Sequence, residues 1–208
     1  MSRFHIAYFS LPQPHSGIDA VLRLNKSLDL QFATSSWGYT LGNSQSLDKR
    51  ELQSRTLEQF AVEAEDLATG PIAEWIGSNF SFSIGFLTDG ALRTAIFEIS
   101  EASLERMNLA LEERKLDILY YLCNLYIALR AQGMVMGPEL EYPEAVEVLV
   151  GRSTTTADIR VSIGIPNDRL PSVHVRRARR VDCHDVLALV EWFPGCPELR
   201  GYLETKPL

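Results

Sequence analysis

The chain contains only three cysteines, Cys123, Cys183 and Cys196. The number is odd and no two are spaced as CxxC, which argues against a disulfide framework and a thiolate zinc knuckle and fits reduced, intracellular usage. Long apolar runs are missing as well. The most apolar stretch, Leu116 to Leu129, is interrupted by Asp117 and Asn124 and is too short to cross a bilayer. The opening segment MSRFHIAYFSLPQPHS carries a short apolar run broken by Pro12 and Pro14, without a signal-peptide core or cleavage site. A cytoplasmic protein is expected. Positive charge is in deficit: 20 Lys and Arg stand against 27 Asp and Glu, for a net charge of −7 at pH 7. Such a field repels phosphate backbones and disfavours general nucleic-acid binding, while it suits a basic protein partner. SIG, WGYTLGN and GRSTTTAD contain glycine and hydroxyls, yet none matches a phosphate-binding or dinucleotide fingerprint.

The 208 residues are 46% hydrophobic and 23% charged, ordinary globular usage for one large or two small domains. The pattern reads as a single α+β domain over 1–208, with conceivable sub-halves 1–133 and 134–208. Residues 4–11 and 30–41 read as strands. A helix is expected from Ile18, with Ser16 as its cap, and a long polar helix over about 46–68, ending at Gly70-Pro71. A short helix through Ile72, Trp75 and Ile76 follows. Phe80 to Ile99 alternates and turns at Asp89-Gly90, which predicts a hairpin apolar on both faces and therefore central and covered. A capped helix at Ser100 and a core helix over 116–131, closed by Gly133, come next. MVMGPELEYPE reads as a connector, AVEVLVG as a short strand, and ADIRVSIGI with SVHVRRARRV as a second antiparallel pair. A helix over about 182–192 and a last one near Leu199 to Leu203 complete the reading. The sum is a mainly antiparallel sheet of about six to seven strands covered by two or three long helices.

Ser-Ile-Gly occurs twice, at 83–85 and 162–164, each time inside strand, turn, strand and capped helix. Ile99 and Leu104 around Ser100, like Val181 and Val186 around Asp182, form a hydrophobic staple across a helix start. Two pseudo-repeated β-hairpin–helix units are one reading of this; chance recurrence of a common unit is the other.

Reactive side chains are sparse. Cys183-His184 invites a thiol–imidazole reading, but adjacent helical positions point about 100° apart. Zinc held by Cys183, His184 and Cys196 with His5, His15 or His174 matches no standard spacing. Asp182 and Asp185, or Glu112 and Glu113, explain themselves as helix caps and solvated faces. Arg152 with Ser153 to Thr156 reads as a polar loop. No catalytic residue, metal or cofactor is expected from these patterns.

Two features suit recognition. HVRRARR places four arginines in five positions of an acidic chain, with Arg176 and Arg180 on one strand face. The connector PELEYPE is stiffened by proline and carries Glu139, Glu141 and Glu144 beside Tyr142, a composition that steers a positive partner. Trp37 and Tyr39 alternate beside small residues in SSWGYT, as aromatic anchors do at binding hot spots. The partner-binding candidates are therefore Trp37, Tyr39, Glu139, Glu141, Tyr142, Glu144, Arg176 and Arg180. The expected function is a non-enzymatic, acidic inhibitor or immunity-type protein that binds and neutralises a basic partner protein; self-association is compatible with it. The alternative is an enzyme whose site is assembled from distant residues, a Cys183/His184 thiol or a His–carboxylate pair in a hydrolase or transferase.

Overall fold

A computed structural model describes residues 3–149 except 13–16, 34, 43–45, 67–69, 91 and 117, and the backbone of 161–166, 180–183 and 187–192. The chain is α+β, with a mainly antiparallel sheet. Its elements run β1 (Phe4–Ser10), α1 (Ile18–Ser27), β2 (Gln31–Ala33), β3 (Ser35–Leu41), β4 (Leu47–Arg55), α2 (Leu57–Asp66), β5 (Ile72–Ile76), β6 (Ser81–Asp89), β7 (Leu92–Ser100), α3 (Glu101–Glu112), α4 (Ile118–Ala128), β8 (Gly133–Pro138), α5 (Tyr142–Leu149), β9 (Val161–Pro166), β10 (Arg180–Cys183) and β11 (Leu187–Trp192). Six strands form the body of the sheet in the order β8-β1-β7-β6-β5-β2, and β9, β11 and β10 continue it beyond β8. Every neighbouring pair is antiparallel. β3 and β4 form a separate two-stranded hairpin.

Strand alternation sorts side chains to two faces, and both are covered. On one face Ala7, Phe9, Phe82, Ile84, Phe86, Ala95, Phe97 and Ile99 pack against α1 to α4 through Ile18, Val21, Phe60, Met107, Leu111, Tyr121 and Leu125. On the other, Tyr8, Ile72, Leu87, Ile96 and Val135 meet Tyr39 of the hairpin and Leu140, Tyr142, Ala145 and Leu149 of the α5 region. On that second face β6 contributes Leu87 and β7 contributes Ile96 to the apolar packing. Their turn uses Gly90 at φ +57°, a left-handed conformation glycine adopts at little cost.

Several local expectations are corrected. The helix expected over 46–68 is β4 followed by α2. The break falls at Thr56, which forms a reciprocal cap: Thr56 N–H donates to Gln59 Oε1 (2.9 Å) and Gln59 N–H to Thr56 Oγ1 (3.3 Å). Residues 72–76 form a strand, not a helix, because β2 and β6 flank them and pair with both edges. The supposed connector supplies β8, paired to β1 from His5↔Pro138 to Ser10↔Gly133. AVEVLVG falls instead in and beyond α5, which buries Tyr142, Ala145 and Leu149 on one stripe. Arg130 at φ 51°, rather than Gly133, takes the left-handed position after α4. In place of the helix expected over 182–192, β10 and β11 pair with each other and β11 pairs on its other edge with β9, so β9 and β10 are not the directly paired strands expected of ADIRVSIGI and SVHVRRARRV. Among the described residues the second proposed hairpin–helix unit has no helix to match α3, while the first keeps its cap: Ser103 N–H donates to Ser100 Oγ (3.3 Å). The five described helices are short, from 8 to 12 residues. The start of α1 is capped by Gly17; Ser16, Asn43 and the region near 199–203 lie outside the described residues.

Candidate functional site

The site grows from one strand, β6. On the face away from α1 to α4 it presents Ser81, Ser83 and Gly85, three small residues in a row, which leave a furrow across the middle of the sheet. Its walls are β5 and β7. Register places Glu74 opposite Ser83 and Ser83 opposite Glu98, so two carboxylates face the same side with a small residue between them. Their backbones are two strand spacings apart, roughly 10 Å.

The β3–β4 hairpin closes one end of this furrow. It is tied to the sheet by a Gly38↔Pro71 bridge and by Tyr39 N–H donating to Gly70 O (2.6 Å). The Tyr39 ring fills the space above Gly85, where a Cβ would overlap it. Its hydroxyl donates to Glu98 Oε2 (3.2 Å), and Lys49 Nζ donates to Glu98 Oε1 (2.7 Å). Burial foremost, with the Glu98 charge adding to it, pushes the Tyr39 phenol well above its ordinary range. It therefore stays a neutral donor to that carboxylate.

Past Tyr39 the furrow opens into a cleft of about 660 Å³, lined by Phe4, Ser36, Trp37, Lys49, Ile72, Glu74, Ser81, Phe82, Ser83, Glu98 and Ser100. Trp37 is 47% exposed and Phe4 41%, so the rim is aromatic while the floor is polar. Glu74 is exposed and Glu98 mostly buried, its side chain 14% accessible. Two carboxylates against one ammonium leave the described lining one charge negative. Among the described residues no histidine or cysteine lines the cleft, and no cluster of three His, Cys, Asp or Glu stands at metal-binding range. The arrangement can accept hydrogen-bond donors and cations and can stack a flat group against Trp37.

Among the described partner-binding candidates from the sequence, only Trp37 belongs to the rim of the cleft. Tyr39 is 2% exposed and acts beneath the site, as its plug and as a donor to Glu98. Tyr142 is also 2% exposed and packs on Tyr8 with ring centroids 5.8 Å apart; neither tyrosine presents itself to a partner. Glu139, at φ 52°, and Glu141 are exposed in the turn between β8 and α5, and Glu144 is half-buried in the first turn of α5. This acidic group follows β8, and Glu139 N–H donates to the carbonyl of Phe4 (2.7 Å), a residue of the cleft rim. Arg180 opens β10, and Arg176 lies outside the described residues. Cys183 ends β10, while His184, His15, His174, Cys196 and 152–156 also lie outside them; Cys123 is buried in α4. Sequence reasoning missed Lys49, Glu74, Glu98, Ser81 and Ser83. The period-two run Ser81-Ser83-Gly85 was the available signal.

A second cavity, about 370 Å³, lies between Leu28–Gln31, Ile76–Phe80 and α3, with Arg114 bridging to Asp29 (2.6 Å) on its rim. No described helix is long and apolar enough to cross a membrane. No protein-family model and no curated protein matches this chain.

Proposed function

We propose that this chain is a non-enzymatic binding protein that engages a basic partner protein, in the manner of inhibitor or immunity proteins, through the cleft between the β3–β4 hairpin and the sheet. The observation that carries this reading is the exposed Trp37 rim standing over the Glu74–Ser83–Glu98 row. A large aromatic that is half exposed beside fixed carboxylates has the make-up of a recognition hot spot. The net charge of −7 supports it by drawing a positive partner toward the surface. Glu139 and Glu141 add exposed negative charge near β8 and contribute to that steering field rather than to the seat itself. The proposed compartment is the cytoplasm, a reading supported by an odd cysteine count with no CxxC spacing.

The test is cross-linked capture in the native host, with partners identified by mass spectrometry, using the wild-type chain, Trp37→Ala and Glu74→Lys. A basic protein retained by wild type and lost from both variants is the expected outcome. Equal retention by both variants overturns the cleft as the recognition surface. Charge reversal at Glu139 and Glu141 is expected to slow association and leave the captured partner unchanged.

A further inference from the structure

We infer that the cleft is a receptor for an arginine side chain, and that Lys49 is its resident stand-in, displaced when the guanidinium arrives. The inference deepens the proposed function and rests on the cleft being the recognition surface.

The argument starts from the occupant the chain already supplies. Lys49 stands directly opposite Tyr39 in the hairpin and sends its ammonium into the cleft, to Glu98 Oε1 at 2.7 Å. A cation on a flexible stem is thus seated on the floor carboxylate. The lysine side chain is 44% accessible and Glu98 only 14%, so the cation is free to swing into solvent while the carboxylate stays in place. Tyr39 holds Glu98 from below through its hydroxyl. Once Lys49 leaves, the described lining carries two carboxylates and no cation.

Arginine fits what remains better than lysine. Its guanidinium is planar and carries five N–H donors in a fixed fork, so one group serves several acceptors. Glu74 and Glu98 flank the Ser81–Ser83 floor, and hydroxyls of that floor add further acceptors. Trp37 on the rim offers an aromatic face to the flat cation. The small side chains of β6 leave depth for the aliphatic stem.

The probe is N-acetyl-arginine methylamide, with the neutral citrulline analogue as its control, titrated into the full chain and followed by NMR at the Trp37 indole and the Ser83 and Glu98 amides. Saturable shifts with the arginine compound and none with citrulline are expected. Lys49→Met removes the competitor and is expected to tighten binding about five-fold, the worth of one partly exposed ion pair. Glu98→Gln and, independently, the exposed Glu74→Gln are expected to weaken it by a similar factor; melting curves confirm that each variant is folded. Equal shifts with citrulline, or unchanged or weaker binding in Lys49→Met, overturn the inference. The two proposals fail separately. Partner capture that depends on Trp37 without arginine binding leaves recognition and removes the seat. Arginine binding without a captured partner keeps the seat and removes the protein-partner reading.

Discussion

The ring of Tyr39 occupies the volume that a side chain at Gly85 would need, across 46 positions of sequence and from a different sheet. A single missing Cβ on β6 thereby seats the β3–β4 hairpin, places the phenol on Glu98 and ends the open furrow where the cleft begins.

Gly85→Ala is expected to destabilise the fold by about 2 kcal/mol, because a methyl in that tight site forces the ring or the strand to move. Chemical denaturation checks the magnitude. The same variant is expected to shift the NMR signals of Trp37 and Lys49, which ride on the displaced hairpin, while those of Tyr121 under the helices stay in place.

Tyr39→Phe keeps the plug and removes the hydroxyl. A loss of about 1 kcal/mol is expected, as for one hydrogen bond to a carboxylate that retains another partner in Lys49. A loss as large as that of Gly85→Ala would mean that the hydroxyl, not the packed ring, anchors the hairpin.

Alkaline stability follows from the buried phenols. Burial raises Tyr8, Tyr39 and Tyr121 well above the ordinary value near 10, with neighbouring charge adding to it at Tyr8 and Tyr39, and raises Tyr142 to about 12. Their folded values exceed the unfolded one, so this stabilisation is fully present below pH 10 and is lost as pH rises through the folded values. Each contributes a slope of about 1.4 kcal/mol per pH unit above about pH 10. Absorbance at the tyrosinate band is expected to show these four ionising together with the unfolding transition. Smooth titration before unfolding would contradict their burial.

Thr56→Ala removes the cap at which β4 gives way to α2. A loss of about 1 kcal/mol is expected. Thr56→Ser is expected to recover most of it, since the hydroxyl accepts the Gln59 amide in either case.

Strong local chemistry was legible in the chain itself. The Asp89-Gly90 hairpin, the Ser100 cap and the buried character of 116–131 each follow from side chains within a few residues of one another. Where competing patterns overlapped, neighbours in space decided. Leu47, Leu57 and Phe60 suit a helical stripe, yet pairing with β3 draws 47–55 into a strand, and only Thr56-x-x-Gln59 signals the change. Trp75 sits on an apolar spacing compatible with a helix, and the edges of β2 and β6 make its segment a strand. Tyr142 and Tyr39 look like surface anchors beside their polar neighbours, but docking of α5 and of the hairpin buries both.

Composition, charge sign and short-range capping and turn chemistry follow from the residues alone, because those energies act within one or two turns of chain. The cleft does not. Glu74, Ser83 and Glu98 stand in one row only through strand register, and Lys49 reaches Glu98 only because Tyr39 fits over Gly85. Register and docking are settled by burial between segments far apart in sequence, and that packing exists only once the sheet has formed.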